Sequence, residues 1–313
     1  LRKAERILLR MGVYQLCFMD SVTPYAAVNE TVELARQKAR GSEGFINGVL
    51  RAFLRAGARL QVPEISEALA PKELARRLSL KYSVSLWIVR LWLRSYGLQQ
   101  TEAMLKASLF PAPLTLRANC AKITRDALIE ELKKQGFDAV KGEYAPYAVV
   151  CKGSGVLSTE LFQKGFFSVQ GQASQRTAFL LDPKEGHTVI DLCAAPGGKS
   201  CAMAEQMNDR GRVLSFDLYP RRAELIRAQA ERLGLTCITA AAADSSQPIT
   251  RLEGIADRVL CDVPCSGLGV IRQKPEIKLA QRPADLEALP SLQLQILQNG
   301  SRCLKPGGLL MYS

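Results

Sequence analysis

Two short segments of this 313-residue chain gather side chains and turns with which chemistry could be done. The first is DLCAAPGGKS at 191–200, where an apolar stretch ends in Asp191 and Pro196, Gly197 and Gly198 turn the chain toward a helix from about Lys199. Glycines lack Cβ, so such a turn lets backbone N–H groups approach a ligand closely. The spacing is neither the dinucleotide fingerprint nor a P-loop. With no diphosphate to cradle, the turn suits a cofactor that ends in an amino acid and a sulfonium, S-adenosylmethionine. Asp217 closes the next apolar stretch and can accept hydrogen bonds from both hydroxyls of a ribose. Asp244 follows the third and is placed to meet an adenine amino group. A single aspartate at a strand end is more often a helix cap. Three at successive strand ends, after a Gly-Gly turn, point instead to a nucleoside cofactor.

The second segment is CDVPCSGLGVIRQKPEIK at 261–278. It also begins at a strand end, so Asp262 and Cys265 should face the same crevice. A Pro-Cys pair suits methylation of pyrimidine carbon, because carbon 5 of cytosine is not nucleophilic. A thiolate must first add to carbon 6 and turn the ring into an enamine that attacks the methyl group. A carboxyl group bonded to ring nitrogen 3 would stabilise the developing charge, and Asp262 is the candidate. To donate a proton there it would need a raised pKa, which burial could supply. Cys261, between Leu260 and Asp262, reads as an ordinary buried thiol. Cys265, after Pro264 and before a Ser-Gly-Leu-Gly loop, reads as exposed and, on these grounds alone, as the nucleophile. Arg272, Lys274 and Lys278 could hold phosphates around an extruded base, although each taken singly could be solvated surface charge.

The elements that must position these residues alternate. From about 172 onward, strands at 188–192, 213–216, 237–240 and 258–261 are separated by helices near 199, 223–233 and 286–303, which predicts a parallel, doubly wound α/β sheet. Before it, residues 111–171 read as a small α+β module, with a strand at 114–116, a helix capped by Thr124, and strands at 147–151 and 166–169. Residues 1–110 read as all-helical, with apolar side chains at helical spacing from Ile7 to Phe18, helices at 28–35 and 45–54, another opened by Pro71, and Ser83 as the N-cap of a helix through Trp87 and Trp92. The net charge is +12, and the first 110 residues carry 17 Lys+Arg against 9 Asp+Glu. A basic module beside a nearly neutral one suggests a polyanion-binding part joined to a chemical part. Nine cysteines without a C-x-x-C pair, and a single histidine, His187, argue against a zinc site and suit reduced thiols in the cytoplasm. No apolar run is long enough to span a membrane.

The chain resembles the RsmB (Fmu/Sun) family of 16S ribosomal RNA cytosine-5 methyltransferases, within the NOL1/NOP2/Sun group. DLCAAPGGK is similar to the family's cofactor loop and DVPCSGLGVIRQKPEIK to its central active-site motif. YQLCFMDSVTPYAAVNETVELAR and GFINGVLRAFLR resemble the later helices of its NusB-like domain, and PLTLRANCAKITRDALIEELKKQG its intermediate module. The resemblance implies a NusB-like RNA-binding domain at 1–110, an RNA-contact or spacer module at 111–171, and a class I Rossmann-like S-adenosylmethionine methyltransferase domain at 172–313. It implies that Cys193, Ala194, Ala195, Pro196, Gly197, Gly198 and Lys199 line the methionine end of the cofactor, together with Asp191. Asp217, with Arg222 nearby, would hold the ribose, Asp244 the adenine, and Asp262 the cytosine. It gives Cys265 the part of releasing the methylated base, not of attacking it. The attacking cysteine would belong to a Thr-Cys-Ser motif after a strand like Leu309–Ser313. The expectation is therefore a chain lacking its last two strands, its first helices and its attacking thiol, and so catalytically silent.

The implied partner is small-subunit ribosomal RNA with an unpaired or flipped cytosine, met by a monomer without metal. Three rivals have reasons of their own. Ribose 2′-O-methyltransferases share the Pro-Gly-Gly loop but rely on lysines, which the Pro-Cys motif disfavours. DNA cytosine methyltransferases use Pro-Cys, yet the Cys265-Ser266-Gly267 continuation and the basic helices fit RNA better. A non-catalytic NusB-like RNA-binding or antitermination protein would have no need of Asp191, Asp217, Asp244 and Asp262.

Overall fold

A computed structural model describes residues 1–58, 64–66 and 68–313, and the chain forms two compact units, Leu1–Lys81 and Tyr82–Ser313. In the first, α1 (Lys3–Phe18), α2 (Pro24–Lys38) and α3 (Glu43–Arg55) enclose Leu8, Val28, Ala35, Ile46 and Leu50. Thr23 starts α2 by accepting the Ala26 N–H, with Pro24 at the first helical position, where its missing donor costs nothing. Helix α4 (Pro71–Tyr82) ends at the boundary between the units.

The second unit starts with α5 (Leu86–Ala107), which the sequence reading had grouped with the helices before it. Its N-cap is Ser85 and not Ser83, because Ser83 lies at φ +52°, in the left-handed region. Gly97, at φ +71°, breaks the helix into two segments.

A four-stranded antiparallel sheet follows, ordered β2-β3-β1-β4, from β1 (Leu114–Ala118), β2 (Asp138–Lys141), β3 (Ala148–Lys152) and β4 (Phe167–Val169). Helix α6 (Arg125–Lys134), capped by Thr124 as expected, packs Leu128, Ile129 and Leu132 on it, and the short α7 (Glu160–Gln163) precedes β4. Strand β2 escaped the sequence reading because of its four residues only Ala139 is buried, which leaves almost no apolar signal.

The last part is a parallel sheet ordered β7-β6-β5-β8-β9, formed by β5 (Thr188–Asp191), β6 (Arg212–Asp217), β7 (Ile238–Ala242), β8 (Ala256–Cys261) and β9 (Leu304–Tyr312). Strand side chains alternate between faces. Val189 and Leu260 therefore face a core shared with α8 (Gln172–Leu181), α9 (Gly198–Gln206) and α10 (Pro220–Leu233). Ile190, Val259 and Cys261 face the opposite core, under α12 (Pro283–Cys303). From β5 the chain steps outward through β6 to β7, then returns to place β8 on the other side of β5. The carboxyl ends of β5 and β8 thus flank a topological switch point, where open α/β sheets bind their ligands.

Candidate active site

Both chemical segments emerge at that switch point. Strand β5 ends in Asp191, fully buried, and its loop passes through a cis Ala195–Pro196 bond into α9. Gly197 sits at φ +102°, and a Cβ there would lie 3.1 Å from the Ile226 Cα of α10, so the turn needs a glycine on both counts. Strand β8 ends at Cys261 and releases Asp262, Pro264 and Cys265. The two segments meet through Lys199, whose ammonium lies 2.5 Å from Asp262 Oδ2. Asp262 Oδ1 accepts the Ser313 hydroxyl at 2.9 Å. Among the described residues this pair is the direct link between the Gly-Gly turn and the Pro-Cys segment, and it puts them in one crevice.

Three aspartates do similar work along the sheet edge. Asp191 Oδ2 accepts the Ser200 hydroxyl at 2.7 Å, and Ser215 backs Ser200 at 2.9 Å. Its Oδ1 is buried and makes no direct hydrogen bond of ordinary geometry, although the Cys193 N–H favours the charged form of the carboxyl. Burial, above all, and then the nearby Asp262 charge push the Asp191 carboxyl up to about 7, against the Ser200 bond and Lys199, which pull it down. Asp217 is buried at the end of β6 and accepts the Tyr219 N–H at 3.2 Å. Arg222 stands 3.5 Å from it and also donates to the Ala195 carbonyl at 3.1 Å, tying ribose-side and turn-side positions together. Asp244, exposed past β7, turns the chain by accepting both the N–H and the hydroxyl of Ser246. Its neighbour Ser245 donates to the Leu192 carbonyl at 2.6 Å and holds this loop against β5.

The cysteines divide as their surroundings dictate. Cys261 is fully buried and its thiol is pushed up to about 12 by burial, as is that of Cys201; Cys193, partly buried, reaches about 12 for the same first cause. Cys265 is exposed on the loop. The Gln293 amide donates to the Pro264 carbonyl at 2.8 Å and fixes the residue before it.

Three expectations meet different surroundings. Asp262 is not buried: its side chain is 36% exposed, because it stands one residue past the strand end, at the mouth of the crevice. Lys278 is buried, and its ammonium donates to the Ser108 carbonyl at 2.7 Å; desolvation depresses its pKa. Arg272 donates to the Pro111 carbonyl at 3.0 Å. As these side chains lie, Lys278 fastens α11 (Ile277–Ala280) to the end of α5, and Arg272 fastens the stretch before α11 to the segment after α5, while Lys274 stays exposed. Ser200, Ser215 and Ser245 went unnoticed in the sequence. Only Ser200 carried a signal there, as the residue that closes the Gly-Gly-Lys-Ser run.

The residues fit S-adenosylmethionine. Buried Asp191 has an oxygen without a regular partner at the turn, and the strand ends are lined with carboxylates. The cations close by, Lys199 and Arg222, are already paired with Asp262 and Asp217. Such a donor set favours a ligand carrying an ammonium and a sulfonium over a polyphosphate. Fold and site together define an S-adenosylmethionine-dependent methyltransferase domain.

Residues 178–313 match the family described as 16S rRNA methyltransferase RsmB/F, residues 1–55 the NusB family, and residues 85–156 the ferredoxin-like domain of RsmF/B-like methyltransferases. The "probable ribosomal RNA small subunit methyltransferase B" of Bacillus subtilis (strain 168) is 39% identical over 310 residues, covering 98% of this chain and 67% of the relative. The ribosomal RNA small subunit methyltransferase B of Pseudomonas syringae pv. tomato is 34% identical, with 98% and 66% covered. The crystal structure titled PH0851 aligns with a TM-score of 0.79 at 26% identity, covering 98% of this chain and 68% of that one. The chain belongs to the ribosomal RNA small subunit methyltransferase B family, and it spans about two thirds of the length of these curated relatives.

Proposed function

We propose that the protein methylates carbon 5 of a cytosine in small-subunit ribosomal RNA, acting as a monomer in the cytoplasm. The observation that carries this reading is the 2.5 Å Lys199–Asp262 pair, which joins the Gly-Gly turn to the segment bearing exposed Cys265. When bound, S-adenosylmethionine supplies a methyl group activated by its sulfonium. Residues 193–199 line its methionine end, Asp191 lies beneath them, Asp217 with Arg222 holds the ribose, and Asp244 the adenine. Asp262 faces the cytosine ring and Lys199 holds its carboxylate in place. The exposed thiol of Cys265 assists release of the methylated base, and exposed Lys274 contacts the RNA backbone. The attacking thiol, by resemblance, belongs to a Thr-Cys-Ser motif that residues 1–313 do not contain. A polypeptide of these residues should therefore bind cofactor without turnover.

The test has two parts. Bisulfite mapping of ribosomal RNA from cells with and without the full-length gene should show one small-subunit cytosine losing protection in its absence. Methyl transfer to a ribose hydroxyl, or no change in the RNA, overturns the reading. Full turnover by residues 1–313 alone overturns the part that assigns the attack to another cysteine.

A further inference from the structure

We infer that Arg117, on β1 of the antiparallel sheet, positions the cofactor loop of the other sheet; this rests on the reading of 193–199 given above. Its guanidinium is 2% exposed and Glu205 on α9, its partner, 1%. Nε and Nη2 donate to the two Glu205 oxygens at 2.9 and 2.6 Å. The remaining nitrogen, Nη1, donates to the carbonyl of Gly198 at 2.6 Å and to Gln170 Oε1. One side chain of the small module thus grips α9 at one end and the Gly-Gly turn at the other. Gln170 also lines the turn, since a Cβ on Gly198 would meet its amide nitrogen at 3.4 Å.

Joining the two sheets does not require this arrangement. Arg232 of α10 already ties them, donating to the Phe162 and Phe167 carbonyls at 2.6 and 3.1 Å and lying 4.0 Å over the Phe162 ring. A buried ion pair stabilises a fold no better than apolar residues of similar volume. What only the arginine fork provides is a donor held at the Gly198 carbonyl while its other edge is locked by a carboxylate. Gly198 precedes Lys199, so fixing that peptide also sets the approach of Lys199 to Asp262. The small module would then determine the shape of the cofactor turn, whether it otherwise contacts RNA or serves as a spacer.

The experiment titrates S-adenosylmethionine into the whole chain and compares wild type with the double variant R117M/E205M, with R117K, with R232K and with D217A. Thermal unfolding and amide exchange of residues 193–199 are followed alongside. The double variant should melt near the wild-type temperature yet bind about tenfold more weakly, the loss of one charge-assisted hydrogen bond, with faster exchange in the turn. R232K should melt earlier with unchanged affinity. If R117M/E205M fails to fold, R117K takes its place, since lysine cannot reach Glu205 and Gly198 together. Wild-type affinity in the variant read overturns the inference. Wild-type affinity in D217A overturns the cofactor site itself, so the two failures are told apart.

Discussion

Asp191 should make the protein less stable as pH rises, and Asp191→Asn should remove that dependence. The carboxyl is fully buried, and desolvation raises it from an ordinary value of 3.8 to about 7. Between those two values the unfolded chain has lost this proton and the folded chain keeps it. The unfolded state therefore binds fewer protons, and stability falls with increasing pH across the window. Each pH unit of differential titration is worth about 1.4 kcal/mol. Between pH 5 and pH 8 the wild type should lose roughly 3 kcal/mol through this group alone, and the whole penalty above pH 7 approaches about 4 kcal/mol. Asparagine places an amide beside Ser200 and carries no charge. Whatever fixed cost the swap has, up to about 3 kcal/mol if an amide hydrogen goes unpaired, is the same at every pH. Urea unfolding of both proteins at pH 5, 6, 7 and 8 reads the difference directly. The variant should gain on the wild type steadily up to about pH 7 and level off beyond it. A constant difference over the whole range would refute the argument that burial, outweighing Ser200 and Lys199, governs this carboxyl.

Gly197→Ala should cost about 1–3 kcal/mol, because alanine is strained at φ +102° and its methyl group presses on the Ile226 backbone; denaturant melts should show this together with weaker cofactor binding. Alkylation of the folded protein with iodoacetamide at neutral pH should modify Cys265 ahead of Cys201 and Cys261, with peptide mass mapping as the readout; early loss of the Cys261 thiol would contradict its burial. Gly300→Ala should destabilise by about 1–3 kcal/mol, since its Cβ would lie 2.6 Å from Cys261 Sγ with Leu192 and Val259 behind it. Adding Cys261→Ala to that variant should recover part of the loss, and strict additivity of the two changes would show that they do not touch.

The local motifs were legible because their geometry is local. A strand ending in Asp191, a turn that needs Gly197 at positive φ and a helix starting beside it are consecutive in the chain, and short-range sterics dictate their course. The same holds for Asp217 and Asp244 at the next strand ends, and for Thr124 as a cap. The separation of Cys261 from Cys265 was also readable, since the period-2 alternation of β8 turns Val259 and Cys261 to one core and leaves the residues after the strand end free.

Tertiary structure alone decided what depends on partners far along the chain. Arg117 sits on a strand like any alternating residue, and its partner Glu205 lies 88 positions away. Lys278 looked like a surface cation, but in the fold it is buried and donates to the Ser108 carbonyl, 170 positions earlier. Burial could have raised Asp262, but it stands at the crevice mouth, held by Lys199. Sequence states which groups a chain owns and how neighbours along it must turn. Which charges are desolvated, and by whom they are answered, follows from the packing of elements remote in sequence, and no local rule encodes that.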